Sequence, residues 1–369
     1  MFEKELVEQE KNPIVKEAYI LKLSEKKAEV NLLLASAERN MKAFQAYNEI
    51  LYGRPSKKYY YIALSNLHET IEAHKTGEDG ELKTLAQKLD QLLPWDKEES
   101  RAHDTPDERV IEAVRKVTHA ELGPLIEQIP DNKHTPARKD VVDVFQQALH
   151  HVGAHDWKIQ INIHDNKFNT NEEKRYITIP KHRRITNQTI RRLIYHEIGT
   201  HVKRRVMGET NRLQLLSIGL NEYQTGEEGI ATVREQVAIS KFISRSRVGQ
   251  YLAVCLATGI DGKPRNFREV FDILETYFRY KYTRDGLFKG TEKEAARQKA
   301  WDMCVRVFRG STCEARGVCF TKDKIYLEGN LRMWELLQKD ISAADDFSIG
   351  KYDPTKPIHV DIVNTARMR

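Results

Sequence analysis

The sequence predicts an α+β fold, predominantly helical with a small sheet. Three observations carry that expectation. Apolar residues recur at three- and four-residue steps over much of the chain, which is the spacing of a buried helix face. Two short stretches, WKIQINIHD (157–165) and RYITIP (175–180), instead alternate apolar and polar residues as half-buried strands do. The strands sit together and many helices follow them, a segregation typical of α+β rather than βαβ architecture.

Taken in order, residues 14–75 read as helical, interrupted at Gly53 and Pro55. Residues 76–108 are polar and broken, and are expected to form a surface connection. Helix signals return at 107–121 and 138–152. The two strands come next, as a hairpin or as adjacent strands. Residues 186–208 form a helix with Thr186 or Asn187 as N-cap and Gly208 as its stop. A further helix is expected at 226–244, then helices at 267–281, 293–309 and 330–338, with a strand-like piece around 317–329. We divide the chain into a helical N-terminal portion, 1–105, packed on a catalytic domain, 106–369.

Composition excludes several classes. Of the 369 residues, 40% are hydrophobic and 31% charged, and the net charge is +6, a mild excess that does not by itself indicate nucleic-acid binding. No apolar run approaches the ~20 residues needed to cross a bilayer. The opening MFEKELVEQEKNP has no apolar core of a secretory signal. The four cysteines, Cys255, Cys304, Cys313 and Cys319, are too few for a disulfide scaffold and point to a reducing cytoplasm. No CxxC pair is present, so Cys304, Cys313 and Cys319 are expected to be buried thiols. His150, His151 and His155 lack partners at ligand spacing and are expected to be structural or exposed. The 181–205 segment carries eight Lys or Arg against the single acid Glu197. This run suits an acidic tail better than nucleic acid, for which no motif is present.

The informative stretch is Tyr195-His196-Glu197-Ile198-Gly199-Thr200-His201. Zinc proteases place histidines four residues apart on one helix face, with the intervening Glu as base. Here the spacing is five. At about 100° per residue the two imidazoles of a regular α-helix would diverge by roughly 140°. A wide turn with i→i+5 bonding would bring them together, and such turns concentrate at functional sites. Gly199 lies inside the interval and is expected to tolerate the distortion. Downstream, Gly226-Glu227-Glu228-Gly229-Ile230-Ala231 opens a helix and offers a carboxylate. Two His and one Glu, with a fourth position left for water, form an established zinc ligand set.

HEIGTH followed by EEGIA resembles the microtubule-associated tyrosine carboxypeptidases and their bacterial relatives, a family with a QEGLA-type motif. NEILYGRPS (48–56), YITIP, LLSIGLNEY (215–223), RVFRG (306–310) and FTKDKIYLEGN (320–330) look like the same family. The visible departure is Ile230 in place of Leu. The resemblance implies a zincin-like metallopeptidase fold, one Zn²⁺ ion, and removal of a C-terminal Tyr or Phe from a peptide or protein. It matches His196, His201 and Glu228 to the metal ligands, Glu197 to the general base, and Glu227 to a supporting role. Tyr326, in the family-like KDKIY stretch, is the candidate oxyanion donor. Arg306, Arg309 and Lys322 are the candidates to read the substrate carboxylate, and the strand at 175–180 is the candidate to pair with substrate as an added edge strand. The expected partner is a peptide or protein C-terminus, with no nucleic acid and no membrane. The rivals are another zinc hydrolase, endopeptidase or aminopeptidase, and a non-catalytic protein that retains the metal.

Overall fold

Near the start of the chain, helical periodicity resolves into α1 (Pro13–Ala37), α2 (Met41–Tyr52) and α3 (Lys57–Lys75). The computed structural model describes residues 9–78, 80–95, 106–163, 167–238 and 247–368. Asn40 and Ser56 cap α2 and α3 by accepting from Ala43 N and Tyr59 N, each satisfying an orphan donor of the first turn. The polar stretch 76–108 is more than a connection. It contains α4 (Gly80–Leu92), which buries Leu82, Leu85, Ala86 and Leu89. These occupy an i, i+3, i+4, i+7 stripe hidden among charges.

The helices α5 (Glu108–Ile126) and α6 (Arg138–His151) precede the sheet. Its strands are β1 (Lys158–Asn162), β2 (Asn169–Asn171) and β3 (Tyr176–Pro180), in the order β1-β3-β2. β1 runs parallel to β3, so the two stretches read from the sequence are adjacent strands, not a hairpin. β2 pairs antiparallel with β3, placing Thr170 opposite Ile177. This corrects the edge-strand expectation for 175–180: β3 is central, with neighbours on both sides, and the edges are β1 and β2.

Beyond the sheet runs one rod made of α7 (Asn187–Leu193), a π-helical segment (Ile194–Val202) and α8 (Lys203–Thr210). Thr186 is its N-cap, accepting from Thr189 N. Gly208 does not stop it, since α8 continues to Thr210 with Gly208 buried within. The remaining helices are α9 (Leu215–Ile218), α10 (Gln224–Ala238), α11 (Val248–Thr258), α12 (Phe267–Arg284), α13 (Glu292–Phe308), α14 (Ile325–Lys339) and α15 (Pro357–Met368). The end of the helix expected at 226–244 lies outside the described residues. The strand expected around 317–329 is instead a 3₁₀ turn (Thr321–Lys324) leading into α14. Ile325, Leu327, Leu331 and Trp334 are buried along it. An alternation this short cannot be told from the start of a helix stripe.

Two compact units interleave in sequence. The first comprises Met1–Leu23, Pro106–Ser244 and Gly329–Arg369; the second comprises Ser24–Thr105 and Arg245–Glu328. Residues 245–328, expected in a domain of 106–369, therefore cluster with 24–105. In the first unit, Leu122, Phe145, Trp157, Ile177, Ile179, Ile194, Ile198 and Val202 form a core joining α5, α6, the sheet and the π segment. Val110, Val114, Ile230, Val233, Trp334 and Phe347 form a second core around α5, α10 and α14. In the second unit, Ala28, Leu32, Phe44 and Leu51 pack together. No helix among the described residues is long and apolar enough to cross a membrane. All four cysteines are unpaired, and Cys313 is only half-buried where full burial was expected.

Candidate metal centre

The five-residue spacing of His196 and His201 is accommodated as the periodicity requires. Residues Ile194–Val202 are π-helical, and Lys203 N donates to Ile198 O across the wide turn. The Thr200 hydroxyl bonds back to Tyr195 O at 3.0 Å. Arg234 of α10, fully buried, donates to Gly199 O and so clamps the same turn from outside. The role of Gly199 differs from the expected one. A Cβ there would lie 2.2 Å from Leu122 Cδ1, so glycine is needed for the close approach of α5 and not for backbone freedom.

With the turn widened, the two imidazoles stand with ring centroids 5.2 Å apart and planes 71° to one another. Glu228 of α10 joins them. One ligand atom from each of His196, His201 and Glu228 lies within 4.8 Å of the others. His196 Nε2 is 3.7 Å from Glu228 Oε2, and donors on a tetrahedral zinc sit about 3.3–3.6 Å apart. α10 is held at this depth by a glycine crossing: a Cβ on Gly229 would lie 2.4 Å from Gly329 O in α14.

The distal nitrogens of both histidines face carboxylates. His201 Nδ1 meets Glu227 Oε1 at 2.9 Å, and His196 Nδ1 faces Glu235 Oε2 at 3.3 Å. The hydrogen bond to Glu227 fixes the His201 tautomer that leaves Nε2 for a metal. Glu235 is itself held by Arg192 Nε at 2.7 Å. Glu227, 3% exposed, receives Arg204 Nη1 on Oε2 at 3.0 Å and Lys351 Nζ on Oε1. Burial opposes its charge, but Lys351, Arg204 and His201 hold its carboxyl well below the usual range. Burial likewise disfavours a charged His201, yet the Glu227 hydrogen bond and the charges of Glu228, Glu227 and Glu197 outweigh it and raise the pKa to about 9. The residues fit a divalent cation on two further grounds. Their field draws positive charge to His201, and Glu228 Oε2 is buried without a hydrogen-bond partner.

Glu197, beside His196, accepts the Thr170 hydroxyl on Oε2 at 2.7 Å. Thr170 lies in β2, so the edge strand touches the proposed base directly. Sequence reasoning missed Thr170, Glu172, Arg204, Arg234, Glu235 and Lys351. Glu235 left a signal, since it is seven residues after Glu228 and hence on the same face of α10.

Tyr326, Arg306, Arg309 and Lys322 lie in the second unit. Arg306 forms a two-point pair with buried Asp323 and also reaches the Tyr326 hydroxyl at 3.4 Å. Arg247 stacks over the Tyr326 ring at 4.1 Å, and Arg309 stacks over Phe320 at 4.1 Å. Lys322 Nζ is 6.0 Å from the Tyr52 ring centroid. The basic run of 181–205 is not one surface. Lys181, His182, Arg183 and Arg184 are exposed, whereas Arg191 donates to Ile126 O and Ile129 O, Lys203 pairs with Glu121, and Arg204 is buried on Glu227. His150, His151 and His155 are exposed.

Fold and site together define an α+β protein in which two histidines of a wide-turn helix and a glutamate of α10 cluster, each histidine facing a further carboxylate. The chain belongs to the microtubule-associated tyrosine carboxypeptidase family, whose sequence profile matches residues 95–356. It is 30% identical over 146 residues to microtubule-associated tyrosine carboxypeptidase 1 of Homo sapiens, covering 38% of this chain and 26% of that protein. Identity to the protein of the same name from Mus musculus is 29% over 146 residues, 38% of this chain and 27% of that one. The match thus spans about a quarter of the length of these curated relatives.

Proposed function

We propose that this protein is a zincin-like, zinc-dependent carboxypeptidase that removes a C-terminal Tyr or Phe from a peptide or protein. The observation that carries the reading is the convergence of His196, His201 and Glu228 within 4.8 Å, with Glu197 next to His196 on the same rod. The names of the curated relatives support the reaction class. His196, His201 and Glu228 would hold the ion. Bound there, zinc supplies Lewis-acid polarisation of the scissile carbonyl and stabilises developing negative charge.

The chain's own residues do the rest. Glu197 takes the proton of the attacking water and returns it to the leaving amine. The Thr170 hydroxyl donates to Glu197 Oε2, which restrains the carboxylate. Glu227 holds the His201 imidazole by its Nδ1, and Glu235 faces the Nδ1 of His196 at 3.3 Å. The assignments of Tyr326 to the oxyanion and of Arg306, Arg309 and Lys322 to the substrate carboxylate rest on the family resemblance. Tyr326→Phe should lower kcat, and Arg309→Gln should raise KM, if they hold. The exposed 181–184 cations support an acidic segment in the substrate, and four unpaired cysteines support a cytoplasmic location.

The test is metal content together with mass spectrometry of peptides ending in Tyr, Phe, Leu and Glu, each with a free or an amidated C-terminus. Loss of one terminal aromatic residue from free ends only is expected. Cleavage of amidated peptides would indicate an endopeptidase or aminopeptidase. Glu197→Gln should abolish turnover while zinc stays bound, and undiminished turnover in that variant would remove Glu197 as the base. A wild-type protein that holds zinc but cleaves nothing would be a binding protein.

A further inference from the structure

Lys351, in the loop before α15, is fully buried. Its ammonium touches two carboxylates, Glu227 Oε1 and, at 2.7 Å, Glu172 Oε1. Each contact leads to the candidate centre by a different route. Glu227 Oε1 is the oxygen that faces His201 Nδ1, while Arg204 holds Oε2. The two cations thus fix both oxygens of the carboxylate that orients His201. Glu172 lies one residue beyond β2 and two beyond Thr170, whose hydroxyl holds Glu197. Glu172 follows β2 directly, joined to Thr170 through Asn171, so anchoring Glu172 holds the end of the strand that carries the residue aiming the base.

We propose that Lys351 is a positioning residue for the metal centre, bridging Glu227 and the β2 strand so that His201 and Glu197 are set by one buried ammonium. Four charges balance here, Glu172 and Glu227 against Arg204 and Lys351. A buried charge network of this kind is costly to break by removing one member. Stability alone is therefore not the readout. This inference rests on the zinc reading of His196, His201 and Glu228, and deepens it.

The experiment measures zinc affinity of the full chain by chelator competition, beside urea unfolding of the metal-free protein. Lys351→Met should weaken zinc binding by about tenfold, the lower end of the effect of losing an outer partner of a ligating histidine, because it acts on His201 through Glu227. Adding Glu172→Gln restores charge balance and should recover stability but not zinc affinity, an outcome that a merely structural lysine would not give. A folded Lys351→Met protein with zinc affinity within threefold of wild type overturns the proposal. So does full recovery of affinity in the double variant. If Lys351→Met does not fold, Glu172→Gln alone carries the test: a loss of threefold or more in affinity with an unchanged far-UV CD spectrum supports the bridge, and unchanged affinity overturns it. Failure of the underlying reading is distinguishable, because the wild-type protein would then bind no zinc that depends on His196 and His201.

Discussion

Gly199→Ala asks why a glycine sits inside the wide turn. The added Cβ would lie 2.2 Å from Leu122 Cδ1 and 3.3 Å from Ile194 O. Carbon atoms rest about 3.5–4.0 Å apart, so more than an ångström of relief is needed. Leu122 is fully buried in the core with Phe145, Trp157 and Ile198 and has little room to give it. Overpacking of this kind costs about 1–3 kcal/mol. Alanine recovers about 1 kcal/mol over glycine in a helix, which leaves a net loss of up to about 2 kcal/mol. In a Leu122→Ala background the obstruction is gone. That variant alone should lose about 2–5 kcal/mol, but Gly199→Ala on top of it should stabilise by about 1 kcal/mol. The Gly199→Ala effect therefore shifts in the stabilising direction by about 1–3 kcal/mol when Leu122 is truncated, within the range for residues in contact. Urea unfolding of the four proteins measures it. An equal penalty in both backgrounds would refute the steric argument and restore backbone freedom as the reason for the glycine.

Three further outcomes follow from the site. Thr170→Val removes the hydroxyl on Glu197 and should lower kcat about tenfold or more, the worth of a hydrogen bond to a charged group; chelator competition should show zinc affinity unchanged. If zinc binds as proposed, it displaces the proton that His201 holds up to about 9, so affinity should fall about tenfold per pH unit as pH drops below that value, and equal affinity at pH 8 and pH 6 would contradict the field described here. Gly229→Ala places a Cβ 2.4 Å from Gly329 O. Because that obstacle is backbone, the loss should reach about 3 kcal/mol, the upper end of overpacking, and a thermal unfolding midpoint equal to wild type would show that the crossing is looser than described.

What was legible in the sequence follows the range of the interactions. The wide turn was legible because helix period alone forbids a regular α-helix from bringing His196 and His201 together. The cap at Thr186 and the strands at 157–165 and 175–180 are likewise local. Their partnering was not local: β2 comes from NTN (169–171), three residues with no apolar alternation, and its pairing with β3 made the expected edge strand central. The helix α4 was hidden by charge, and 317–329 by an alternation too short to decide. Lys351 and Glu172 are 179 residues apart in sequence, and nothing in either segment announces the other.

α10 shows where legible and illegible parts meet. EEGIA was readable as a motif, but its helix does more than supply Glu228. Glu227 and Glu228 are adjacent, about 100° apart around the axis, and they face different histidines. Seven residues on, Arg234 and Glu235 repeat the two directions, Arg234 clamping Gly199 O and Glu235 facing His196. One helix therefore presents a candidate ligand, two orienting carboxylates and the clamp on the wide turn. Gly229 fixes the depth of that helix against α14, and Arg204 and Lys351 fix the Glu227 end. A rotation of α10 by a single residue would misplace all four side chains at once, which is the physical reason for so close a glycine crossing one position beyond Glu228.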